Sequence, residues 1–271
     1  MPAKPVIPAE VADELASNIE FLTEVTEARG DLTKLGRVCE ELCTHYRALG
    51  ICMLSEDADL DGFFHHLIQS AITRRFYLQG IAGKVDAEPQ HSRASFLDPV
   101  FDAIAARQWT LTQELLELAP RAWSQGEEYE DDFCYADFLR LLLTEPTATT
   151  DAVIARWTAA LEGGEDLRLE LAHALRKRDP SELASALRNL LQKRNTESGE
   201  IAHPEDGSLL ADEATFFPNW WISVEGLALL AIAERMGMRV EGEFPSCPAL
   251  ARTAEFGPFV SRGYPNVLAN V

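Results

Sequence analysis

The chain has 271 residues, 46% of them apolar and 25% charged, which is ordinary for a folded protein and enough for one large core or two small ones. Acids outnumber bases 44 to 24, giving a formal net charge of −20. That imbalance argues against nucleic acid or anionic lipid as a partner, because phosphate binding needs clustered Lys and Arg.

MPAKPVIPAE carries no apolar core of a signal peptide, so none is expected. Ala9 to Arg29 repeats apolar residues at Val11, Leu15, Ile19, Leu22 and Val25 and closes at Gly30, which predicts a first helix. Asp31 is expected to cap a second, through Leu35, Val38, Leu42, Tyr46 and Leu49, and Asp59 or Asp61 a third, through Phe63, Leu67, Ala71 and Phe76. Together they read as an antiparallel bundle over 1–85. Val85 to Ala94 is polar, contains Pro89, and is expected to be a loop and a domain boundary.

Two helices follow in 95–119, with Ser95/Asp98 and Thr110/Gln113 as capping pairs. Ser124, three residues before Glu127, signals the next helix start, in GEEYEDDFCYADFLRLLL. Five acids fill six positions there: Glu127, Glu128, Glu130, Asp131 and Asp132. At helical spacing, Tyr129, Phe133, Ala136, Leu139 and Leu143 form an apolar arc, and Glu127, Glu130, Cys134 and Asp137 line the narrow polar stripe. The bland reading of that stripe is a solvated face with acids favoured near a helix N-terminus. Thr150 or Asp151 opens a further helix ending at Gly163-Gly164.

Leu167 to Leu191 echoes 95–119 at an offset of 71, with Ala174-Leu175, Arg178-Asp179 and Leu187 matching Ala103-Ile104, Arg107-Gln108 and Leu116. This suggests stacked helical hairpins of α-solenoid type over 95–240. Asn195 to Gly207 reads as a surface loop, and Asn219 is expected to cap an almost wholly apolar helix, Trp220 to Met236. That run is too short to span a membrane and carries Glu225, for which a buried arginine partner is expected. The proline-rich segment 241–271 is an irregular tail. The fold class expected is all-α with little or no sheet, either in these three parts or as one continuous domain.

No catalytic set emerges, so no enzyme activity, cofactor or metal site is expected. G-x-S-x-G, Walker A and G-x-G-x-x-G are absent. His65-His66 and the Glu41/His45 pair make no ligand set and read as surface or satisfied interior histidines. Asp131-Asp132 with Asp137 resembles the aspartate-rich metal motif of all-α terpene synthases, but the spacing is out of step, and the second motif at Asn219, Ser223 and Glu225 is incomplete. The five cysteines lack a C-x-x-C, and Cys39 and Cys43 stand i, i+4 on a predicted helix, which favours reduced thiols in a cytoplasm. Cys134, beside carboxylates, should have a raised thiol pKa.

EYEDDFCYADFL, following DPVFDAIAARQWTLTQELLELAPRAW, resembles immunity protein family 49 of bacterial polymorphic toxin systems, best over residues 95–145. WWISVEGLALLAIAERMGM is similar in style to late helices of all-α immunity proteins. The resemblance implies a cytoplasmic antidote that binds a cognate toxin, often a nuclease or other enzyme delivered by contact-dependent or type VI secretion, and blocks its active site. The expected contact set is Glu127, Glu128, Glu130, Asp131 and Asp137, facing a basic toxin domain. A helical-repeat adaptor is the alternative of another class, and a metal-dependent enzyme of terpene-synthase type a third. A toxin gene upstream favours immunity over the adaptor, and magnesium-dependent turnover of a prenyl diphosphate favours the enzyme.

Overall fold

The computed structural model describes residues 10–29, 31–145, 149–202 and 212–252. In chain order the elements are α1 (Glu10–Arg29), a 3-10 turn (Leu32–Lys34), α2 (Gly36–Asp57), α3 (Leu60–Ile81), α4 (Pro89–Ser92), α5 (Asp98–Ala105), α6 (Trp109–Leu118), α7 (Glu130–Thr144), α8 (Asp151–Ala160), α9 (Leu167–Lys177), α10 (Pro180–Ala202), α11 (Glu213–Trp221), α12 (Val224–Arg235) and α13 (Ala249–Arg252). The fold is all-α; among the described residues the sole β feature is an isolated bridge between Gln125 and Glu128.

Apolar periodicity explains most of these helices, and aspartates do much of the capping. Asp59 accepts from the Gly62 amide at the start of α3, and Asp179 accepts from Ser181 and Glu182 at the start of α10, both as the sequence indicates. The Ser/Thr capping boxes do not form. Leu97, Gln108 and Tyr129 occupy the N-cap positions of α5, α6 and α7 and make no side-chain cap bond. Asp31 caps the 3-10 turn, not α2, which begins at Gly36. A Cβ at Gly36 would lie 2.4 Å from His91 Cβ, so glycine lets α4 approach α2 there. The expected loop 85–94 thus contains the short turn α4. The expected helix end at Gly30 lies outside the described residues.

Two further expectations are corrected. The polar run from Asn195 does not leave the helix: α10 continues through Ala202. Leu187, Leu191, Asn195 and Gly199, each four residues apart, are all buried, so one small polar residue and a glycine prolong the packed seam. The rest of that expected loop lies outside the described residues. The apolar run Trp220 to Met236 is not one helix, because it breaks at Ile222, whose backbone is extended. Ser223 restarts it by capping Gly226 through its hydroxyl and donating its own amide to the Ser246 carbonyl. Asn219 therefore lies inside α11, which Asp212 caps.

The main core draws on residues from Ile51 to Ala251, so α2 and α3 share it with α5 through α12. A buried polar cluster reinforces that junction. Arg47 of α2 pairs with Asp102 of α5 at 2.7 Å, and Ser70 of α3 donates to the other Asp102 oxygen at 2.5 Å. The pair α5/α6 and the pair α9/α10 are helical hairpins with the same turn. Arg107 and Arg178, 71 positions apart, both take the left-handed conformation, with φ of 56° and 54°. In each turn the next amide returns to the helix: Gln108 to the Ala103 carbonyl at 2.8 Å, Asp179 to Ala174 at 3.0 Å.

Candidate functional site

α7 packs against α6, α8 and α9. Its apolar arc is committed to the core, with Phe133 2% exposed and Leu139 fully buried. The edges of the arc fall elsewhere than periodicity indicates. Tyr129 precedes the helix and is 79% exposed, whereas Cys134, expected on the polar stripe, is buried. Arg156 of α8 accounts for much of this cover. It pairs with Glu130 at 2.7 Å and lies over the rings of Phe133 and Trp123, closing the flank where the stripe would otherwise meet water. The Cys134 thiol is pushed up to about 11, with burial the leading cause and Glu130, Asp137 and Asp131 adding to it.

Ser124 and Glu127 form a turn instead of a helix start: the Glu127 amide donates to the Ser124 carbonyl at 3.0 Å, and α7 begins three residues later. Glu128 turns inward, and its carboxylate accepts the Ser95 amide at 3.0 Å and the Ser124 amide at 3.3 Å. Asp131 and Asp132 both reach Arg168 of α9, at 3.4 and 2.6 Å. Arg168 also pairs with Asp166 at 3.1 Å and stacks over Tyr135. Asp137 is gripped by Arg140 at 2.7 Å. Of the expected contact set, Glu127 alone has a carboxylate that is exposed and makes no ion pair or hydrogen bond among the described residues. The face stays negative nonetheless, since Glu127, Glu128, Glu130, Asp131, Asp132 and Asp166 outnumber Arg156 and Arg168, the arginines paired with them among the described residues.

The arginines and Tyr129 are what sequence reasoning missed. No local spacing links Arg156 to Glu130 or Arg168 to Asp132, 26 and 36 residues away. Tyr129 matched the helical period but lies one residue outside the helix, where the period no longer applies.

Behind α7, the buried Tyr135 hydroxyl donates to Glu225 of α12 at 3.0 Å. The expected direct arginine partner of Glu225 is therefore a tyrosine, with Arg168 and Arg194 acting from farther away. Burial is the leading cause that raises the Glu225 carboxyl, and it likewise raises the Tyr135 hydroxyl. Among the described residues, no group of three His, Cys, Asp or Glu side chains converges as a metal site. All five cysteines are free and buried.

A family model described as immunity protein 49 matches residues 56–250. No curated protein and no solved structure matches the chain.

Proposed function

The chain belongs to the immunity protein 49 family, and on that premise we propose that it is a cytoplasmic antidote that binds a cognate toxin and neutralises it by covering its active site. The observation that carries this reading is the family match, which spans most of the chain from the end of α2 to α13. The structure supports a binding role for the turn entering α7, where Glu127 is unpaired and Tyr129 stands almost fully in solvent. An exposed tyrosine beside acids suits a protein interface, since it offers contact area at small entropic cost and a hydroxyl for a partner.

The contact set we propose is Glu127, Glu128, Glu130, Asp131 and Asp137, with Glu127 and Tyr129 foremost. Most of these acids are fixed by Arg156, Arg168 and Arg140. They therefore act as a preorganised negative field, not as mobile charges seeking partners. A basic toxin such as a nuclease would be steered by that field.

The test is co-expression with the product of the neighbouring toxin gene, followed by co-purification and a survival assay. A stable complex and protected cells are expected. Replacing Glu127 and Glu130 by lysine should slow association more than it speeds dissociation, and the effect should shrink as salt rises. A toxin that is not bound, or that kills cells despite the protein, would sink the reading. A complex leaving Glu127 and Tyr129 in solvent would sink the proposed contact face alone.

A further inference from the structure

A small cavity of about 20 Å³ lies where α3, α5, α6 and α7 meet, and Arg74, Arg93, Arg140 and Asp137 line it among apolar side chains. Three guanidiniums against one carboxylate is the reverse of the chain's own balance, which is −20 overall. Room of that size holds one body about as large as a water molecule.

Two of the three cations are matched by carboxylates. Arg140 grips Asp137 at 2.7 Å and Glu145 at 2.6 Å, and Arg93 meets Glu40 at 3.1 Å. Arg74 is different: it is 3% exposed, and among the described residues no carboxylate pairs with it. Its two terminal nitrogens donate to the backbone carbonyls of His91 and Arg93, which hold the end of α4 but carry no net charge. Its Nε–H has no acceptor among the described residues. Glu40 acts on Arg74 from farther away, yet that carboxylate is already taken by Arg93 and by His91 at 3.0 Å.

A like charge stands close instead. The guanidiniums of Arg74 and Arg93 lie over the same Phe96 ring, 4.9 and 5.4 Å from its centre. Burial first, and the Arg93 charge with it, act to lower the Arg74 guanidinium from its ordinary value. A buried cation beside a second one is poorly stabilised unless an anion reaches it. The size of the cavity decides which anion. A carboxylate or phosphate group needs more room, whereas a halide is spherical, accepts N–H donors from any direction and tolerates apolar walls on its remaining sides.

We propose that this cavity binds one monovalent halide, chloride under ordinary conditions, between Arg74 and Arg93, with Arg140 contributing from α7. The ion would match the one buried guanidinium here that lacks a carboxylate and would tie α7 to α3. It would thereby steady the helix that carries the acidic face, and it does so whatever that face binds.

The test uses the full chain in sodium gluconate, an anion too large for the cavity, with chloride substituted stepwise at constant ionic strength. The thermal midpoint should rise with the logarithm of chloride concentration, as mass action at one site requires, and amide shifts centred on Phe96 and Leu97 should saturate. Bromide should act likewise, and a crystal soaked in bromide should show an anomalous peak inside the cavity. Arg74→Gln should abolish the chloride effect and Arg93→Gln should weaken it several-fold. Arg239→Gln, which removes an exposed pair with Glu241 outside the cavity, should leave it intact. The wild-type titration and the bromide peak decide the matter even if Arg74→Gln fails to fold. A midpoint indifferent to chloride overturns the proposal, as does an effect undiminished in both Arg74→Gln and Arg93→Gln. A water molecule in the cavity of the bromide-soaked crystal, with no anomalous peak there, overturns it too.

Discussion

Arg168→Met removes the guanidinium on which three carboxylates converge while keeping an unbranched apolar stem. Asp131 and Asp132, about a third exposed, are rim partners, and such pairs contribute about 0.2–1 kcal/mol each. Asp166 is only 10% exposed, and it also caps α9 and accepts Trp157 Nε1–H, so losing its cation costs more. A charge-assisted hydrogen bond to such a group is worth about 1.5–3 kcal/mol. The cation over Tyr135 adds roughly 0.5–1 kcal/mol. Methionine recovers part of the packing, so a net loss of about 2–3 kcal/mol is expected. At roughly 2–4 °C per kcal/mol for a chain of this size, the thermal midpoint should fall by about 4–12 °C. Urea unfolding should show a lower midpoint with unchanged slope. Asp132→Asn in the same background should restore part of the loss by relieving repulsion among the orphaned acids. A variant as stable as wild type, or one that Asp132→Asn fails to improve, would refute the account of α7 as pinned to α9 through this arginine.

Phe133 is 2% exposed in the main core, so Phe133→Ala should cost about 3–5 kcal/mol, and an unchanged urea midpoint would contradict its place there. All five thiols are buried, and burial pushes Cys39 and Cys52 up to about 12 and Cys134 up to about 11, so a thiol reagent at neutral pH should label the native chain very slowly and all five positions once it is unfolded; one fast native site would disprove this. Burial and the neighbouring His66 lower His65 to about 4, so its contribution to stability is complete above its unfolded value near 6.5 and is lost as pH falls toward 4. Burial raises the Asp102 carboxyl, and Arg47 and the Ser70 hydroxyl act against that shift. His65→Phe should therefore flatten the acid side of the stability curve between pH 6.5 and 4, and an unaltered slope there would exclude His65 as its source.

Much of the fold was legible because burial follows the helical period. The three long N-terminal helices, the acidic helix and the echo at an offset of 71 all rest on it, and that echo corresponds to a shared turn at Arg107 and Arg178. Capping boxes were the least reliable sign, because a cap needs a backbone that leaves the amide free and a side chain aimed at it. At Ser95 the amide goes to Glu128, 33 residues away, a use no local motif encodes. The break at Ile222 was hidden for a related reason. Apolar residues continue through it, and what restarts the helix is Ser223, whose amide is fixed by Ser246 from a distant segment.

The acidic face shows the same limit more sharply. The sequence displays the carboxylates but not the arginines that hold them, since those come from α8 and α9 and reach α7 only in the folded chain. Pairing changes what such a face can do. Free acids crowded at one place would repel one another and sample many positions, and a partner would have to order them. Acids fixed by Arg156 and Arg168 have already met that cost during folding, so their field is in place before any encounter. The pairing also lowers the net charge they present, and this shifts the burden of specific contact to the groups left unpaired. Glu127 and Tyr129 are those groups on the turn before α7. Both fall within the family match over 56–250, whereas the exposed Phe21 on α1 falls outside it. An interface made from the shared fold should therefore centre on the turn and leave α1 uncovered.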